Sequence, residues 1–167
     1  GVFRKGDEIT VMPSAYTSKI KTIDVFEGEL IEAFAPMSVS MTLEDDIDIS
    51  RGDMIVRSNN KPTAVKEFVV MLCWLANDPI KPRAKYSIQH SSNKQLAIIK
   101  EVIYKIDINT LERDFKNSTL KMNDIAKVRI STAKSLIIDS YRRNKATGSA
   151  ILVDNETNKT VAAVMLV

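Results

Sequence analysis

Apolar side chains recur at every second residue through most of this 167-residue chain, and that period leaves few architectures open. Alternation sends successive side chains to opposite faces of an extended strand. Met37, Val39, Met41 and Leu43 alternate strictly with polar residues, the pattern of a half-buried strand. Ile9, Val11 and Pro13 do the same, as do Ile20 and residues 23–25 after one break, and Tyr86, Ile88 and His90. Residues 54–56 make a short strand. Residues 65–75 form a long apolar run whose β-branched and aromatic content favours a strand over a helix. Residues 96–108 predict a strongly bent strand with Ile99, Val102, Tyr104 and Ile106 as its apolar members. Ile125, Val128, Ile130 and Thr132 give another after one break. Residues 150–153 and 161–167 close the chain around the turn-rich stretch 154–159. Only residues 28–35 and 107–113 leave room for a short helix. The expected class is all-β, as antiparallel barrels or sandwiches.

Residues 57–63 contain no large aliphatic or aromatic residue after Arg57 and include Pro62. A linker there divides the chain into domains 1–60 and 61–167. The net charge of +3 hides an asymmetry across that line. Residues 1–61 hold 7 Lys/Arg and 11 Asp/Glu, a balance of −4, and residues 62–167 hold 17 and 10, a balance of +7. The second half would favour an anionic partner. No run reaches the roughly 18 apolar residues of a membrane helix, and no secretory h-region opens the chain. The single cysteine, Cys73, allows no internal disulfide and fits a reducing cytoplasm. The sequons at Asn117, Asn155 and Asn158 then read as chance.

Catalytic vocabulary is sparse. A triad needs a positioned base, usually histidine. The one histidine, His90, ends an alternating strand, where a structural role is expected. Cys73 lies beside Trp74 in an apolar run and reads as a buried, inert thiol. One Cys and one His cannot build a usual zinc site. Neither GxxxxGK[ST] nor GxGxxG occurs, so no phosphate loop is present.

Residues 43–53 pack Glu44, Asp45, Asp46, Asp48 and Asp53 around Gly52. Asp46, Asp48 and Ser50 have the first, third and fifth spacing of a calcium loop. The sharp-turn glycine and the bidentate glutamate are replaced by Arg51 and Arg57, which argues against calcium. Arg51-Gly52-Asp53 also spells an adhesion tripeptide. A turn in which Gly52 takes a conformation other residues resist is the simpler reading.

The wording of these segments resembles a known family. Phe3-Arg4-Lys5-Gly6-Asp7-Glu8-Ile9, Val11-Met12-Pro13-Ser14 and Ser18-Lys19-Ile20-Lys21 resemble the second domain of elongation factor Tu-like GTPases. Residues 26–35 and 43–53, Cys73-Trp74-Leu75 with Lys81-Pro82 and Tyr86, and residues 104–113, 120–125 and 141–154 closely resemble sulfate adenylyltransferase subunit 1, the GTPase subunit of bacterial ATP sulfurylase.

That resemblance implies two consecutive β-barrels, of the translation-factor domain II and domain III types, and no catalytic residue, cofactor or metal in this chain. GTP and magnesium would sit in an N-terminal GTPase domain. The implied partners are that domain and a catalytic subunit that joins sulfate to the adenylyl group of ATP, in the cytoplasm and away from membranes. The family's second domain begins before the Phe3 strand. About four strands are countable in residues 1–57, few for a closed barrel. The first barrel is therefore expected to be open, or to borrow a strand from another copy. Glu44, Asp45 and Asp46 on the acidic corner and Arg142, Arg143 and Lys145 on a basic stretch are the candidate partner contacts. The alternative is a module that carries aminoacyl-tRNA. The basic second half favours it, and the wording of residues 43–53 and 141–154 argues against it.

Overall fold

A computed structural model describes residues 1–59, 62–81 and 83–167. Among these residues there is no helix, and none long and apolar enough to cross a membrane. The chain divides into two compact units, Gly1–Pro62 and Thr63–Val167. The expected boundary between residues 60 and 61 lies outside the described residues.

The first unit holds seven short strands rather than about four: β1 (Val2–Arg4), β2 (Glu8–Met12), β3 (Tyr16–Val25), β4 (Gly28–Glu29), β5 (Glu32–Phe34), β6 (Ser40–Leu43) and β7 (Met54–Arg57). Three escaped the count because they are two or three residues long, too short to show a period. β1 pairs with β5 as a separate ribbon. β3 is long enough to pair with β2 along its first half and with β6 and β4 along its second. β7 pairs with β2, so the sheet runs from β7 through β2 and β3 and curls without closing. Ile9, Val11, Ile20, Ile23 and Ala33 form its buried core, with Phe3, Leu30, Met41, Leu43 and Ile55 packed partly against it. The first unit is therefore an open half-barrel, as expected.

The second unit comprises β8 (Ala64–Trp74), β9 (Lys85–His90), β10 (Asn93–Ile106), β11 (Arg113–Asp114), β12 (Ile125–Ile137), β13 (Ser149–Asp154) and β14 (Thr160–Leu166). Six of these close a ring: β10 to β12, β8, β14, β13, β9 and back to β10. Every pairing is antiparallel. Closure leaves these strands with no sheet edge to protect. Alternate residues fill the interior, among them Phe68, Val70, Leu72, Trp74, Ile88 and Leu152. The bend expected in residues 96–108 has a cause: the register of β10 against β12 slips between Ile99 and Glu101 and again between Val102 and Tyr104. Such bulges sharpen the local twist.

The two candidate helical stretches are not helices. Residues 26–27 turn a hairpin in which Gly28, at φ +132°, pairs with Val25. At 107–113, the Asp107 carboxylate accepts from Asn109 N and Thr110 N at 2.8 and 3.3 Å, an Asx turn in place of a first helical turn.

Candidate functional site

The basic stretch is a tightly clamped loop. It links β12 to β13, and six backbone bonds hold it, the longest from Asp139 N to Thr147 O at 3.4 Å. Arg143 N and Asn144 N both donate to Ser140 O, at 2.9 and 3.0 Å, and Gly148 N donates to Asn144 O at 2.7 Å. Tyr141 N donates to Leu166 O, and Leu166 N donates to Gly148 O, stitching the loop to β14. Side chains complete the clamp. Thr147 Oγ1 donates to Asp139 Oδ2 at 2.6 Å, and Ser149 Oγ donates to Lys145 O at 2.7 Å. His90 is 3% exposed, and its Nε2 lies 2.7 Å from Thr147 O. A carbonyl can only accept, so that nitrogen carries the proton. The only histidine is thus a brace for this loop.

Gly148 is the pivot. A Cβ there would lie 2.4 Å from Tyr141 Cα and 2.6 Å from Asn144 O, so the loop turns back on itself where only hydrogen fits. The clamp holds Arg142, Arg143 and Lys145 outward and exposed. None of the three makes an ion pair among the described residues. A rigid backbone with three unspent cations is pre-organised to meet an anionic surface, since little loop entropy remains to be lost.

The acidic corner is built differently. Asp45 is tied down: Ser18 Oγ donates to its Oδ2 at 2.7 Å, and Glu44 N donates to Lys19 O. Gly52 sits at φ +104°, the turn conformation expected of it. Ser50 N donates to Asp53 Oδ2, so the aspartate of the adhesion-like tripeptide caps its own turn. Glu44, Asp46 and Asp48 face solvent. Among the described residues no three His, Cys, Asp or Glu side chains converge as a metal cluster.

At one end of the closed barrel a cavity of about 300 Å³ is lined by Trp74, Tyr86, Lys81, Asp154 and Lys159 among others. Trp74 Nε1 donates to Asp78 O at 2.9 Å, and its ring meets Tyr86 edge to face at 5.9 Å. Burial pushes the Tyr86 phenol above its ordinary pKa. The Asp154 carboxyl is held below the ordinary range, first by the Thr157 backbone N–H and then by the Thr157 hydroxyl. Both groups are engaged in structure.

Cys73 departs from expectation. It is half-buried rather than buried, because β8 turns Val69, Met71 and Cys73 outward while Phe68, Val70, Leu72 and Trp74 fill the barrel. An unbroken apolar run conceals that alternation.

Residues 67–167 match the family model described as GTP-eEF1A C-terminal domain-like. The chain is 46% identical over 166 residues to the bifunctional enzyme CysN/CysC of Rhodopirellula baltica, a match covering 99% of this chain and 26% of that protein. It is 42% identical over 167 residues to sulfate adenylyltransferase subunit 1 of Bacteroides fragilis, covering all of this chain and 35% of that protein. The chain thus spans about a quarter to a third of the curated relatives it matches. Among solved structures, Sup35 complexed with GDP superposes with a TM-score of 0.88 at 18% identity, over all of this chain and 41% of that one. At that identity the likeness shows the fold alone.

Proposed function

This chain belongs to the GTP-eEF1A C-terminal domain-like family, and from that premise we propose that it is the two-barrel coupling region of a sulfate adenylyltransferase GTPase subunit. The observation that carries the proposal is identity of 42% along all 167 residues to a protein named sulfate adenylyltransferase subunit 1. In this reading the chain performs no chemistry. GTP and magnesium belong to a GTPase domain outside the matched segment, and the catalytic subunit makes adenosine 5′-phosphosulfate from ATP and sulfate in the cytoplasm. The barrels relay the nucleotide state as rigid bodies, the usual currency of such switches. Arg142, Arg143 and Lys145 are the proposed contacts to an anionic face of the catalytic subunit, and Glu44, Asp45 and Asp46 a second, weaker set. Asp45 serves partly as a tether, since Ser18 already occupies it.

The test is association of this chain with a purified sulfate adenylyltransferase catalytic subunit, followed by calorimetry. Reversal to Arg142→Glu and Arg143→Glu should weaken binding at least tenfold at low salt. Unchanged affinity removes the loop from the interface, and no association with the unsubstituted chain removes the partner. A transfer-RNA gel shift at low salt addresses the alternative that the +7 balance of residues 62–167 favours. Salt-sensitive binding there would support a nucleic-acid carrier instead.

A further inference from the structure

Part of the closed barrel's outer face is apolar as well as its interior. Directly opposed residues on antiparallel neighbours share a face. One outward row runs Tyr104, Lys127, Met71 and Met165 across β10, β12, β8 and β14, ending at Ser149. The next row runs Ile106, Ile125, Cys73, Ala163 and Ile151. Their sequence neighbours Ala126, Leu72, Trp74, Val164 and Leu152 are the buried core, which fixes these rows as exterior. The sequence carries the same message. Residues 69–75 are apolar without interruption, the mark of a strand covered on both faces. The barrel covers only one.

Charge frames this wall at both ends. At the β10 end, Arg113 lies 5.0 Å and Lys127 6.0 Å from the Tyr104 ring centroid, and Phe115, 68% exposed, meets that ring edge-on. Neither cation is in an ion pair among the described residues. At the β13 end, Ser149 Oγ donates to Lys145 O, which joins the wall to the basic loop. Neither row contains an acid. The nearby outward acids Glu67 and Glu101 are both engaged by Arg129.

We propose that this outer wall is a docking surface for a folded protein whose contact face has an apolar centre and carboxylates at its two edges. The occupant's chemistry follows from the wall: apolar rows require desolvation against apolar side chains, and unpaired cations at both ends select acids and reject a basic surface. Choosing the catalytic subunit as probe rests on the function proposed above.

Cys73 lies in the middle of the wall and is the only thiol. Its alkylation by N-ethylmaleimide, read by peptide mass, therefore reports whether the wall is covered. The expected result is steady alkylation in the chain alone and at least tenfold slower alkylation with saturating catalytic subunit. The pair Met71→Lys and Met165→Lys should weaken association at least tenfold with an unchanged circular-dichroism melt. If that pair fails to fold, Ala163→Arg, at an exposed position of the neighbouring row beside Cys73, carries the same expectation. Association without protection of Cys73, and indifferent to these substitutions, overturns the wall and leaves the proposed function standing. No association at all overturns both. Protection in the chain alone also overturns the proposal: a second copy covers the wall if protection grows with concentration, and the chain itself covers it if not.

Discussion

Replacing Gly148 with alanine adds one methyl group where the loop has no room for it. The new Cβ would meet Tyr141 Cα at 2.4 Å, Tyr141 N at 2.5 Å and Asn144 O at 2.6 Å. Comfortable carbon contacts lie near 3.5–4.0 Å, so the two backbone segments must separate by about 1 Å. Both belong to the clamp. Moving them strains the bonds from Gly148 N to Asn144 O, Tyr141 N to Leu166 O and Leu166 N to Gly148 O. Overpacking costs about 1–3 kcal/mol and a buried polar group left unpaired about 1–3 kcal/mol. Partial relaxation keeps the sum near 2–4 kcal/mol. At a urea slope of roughly 1–3 kcal/mol per molar the midpoint of the second unit should fall by about 2 M. Gly6→Ala is the informative control. It meets nothing within 4 Å but sits at φ +84°, so its cost, about 1–2 kcal/mol, is conformational and falls in the first unit. A loss below about 1 kcal/mol for Gly148→Ala would refute the claim that the loop is sterically locked, and with it the pre-organisation assigned to Arg142, Arg143 and Lys145.

Two further outcomes follow from the closed barrel. Trp74→Phe removes the indole N–H from Asp78 O and part of the contact with Tyr86. It should lower stability by about 1–3 kcal/mol in urea titrations followed by circular dichroism, and a neutral effect would show that the 300 Å³ cavity beside it tolerates the vacancy. Asp154 has its folded pKa depressed by the Thr157 and Glu156 N–H groups and the Thr157 hydroxyl. Its contribution to stability is therefore fully present above the ordinary carboxylate range, near pH 4, and is lost as pH falls through the depressed value. Asp154→Asn should flatten that acid limb of the stability curve, and an unchanged slope between about pH 4 and pH 2 would contradict it.

What could be read from the sequence depended on segment length. Long strands declared themselves: the run at 65–75 became β8, and the alternation at Tyr86, Ile88 and His90 became β9. Strands of two or three residues could not, because one period of two is indistinguishable from chance; β1, β4 and β5 are of that kind. Residues 133–137 of β12 were also missed, because they rejoin β8 only after a register slip. Site residues followed similar logic. Arg142, Arg143 and Lys145 were visible as a charge cluster, but their rigidity was not. It comes from the Thr147–Asp139 bond inside the loop and from His90 and Leu166, which lie on other strands and reach the loop only through the ring. Cys73 was misplaced because an unbroken apolar stretch gives no hint which of its residues face out. Periodicity reports alternation only when one face is polar.

The order of strands around the ring has a consequence for synthesis. β14 lies between β8 and β13, so residues 160–166 supply the piece that joins the two sides of the barrel. The hairpin β9–β10 and the pair β10–β12 can assemble earlier, yet until β14 inserts, the flanks of β8 and β13 lack a neighbour there. A chain emerging amino end first thus carries an unsealed barrel until β14 is delivered. For that interval it depends on solubility and on whatever shields strands in the cell. Stop codons even a few residues upstream of Leu166 should therefore yield insoluble product rather than a slightly weakened fold.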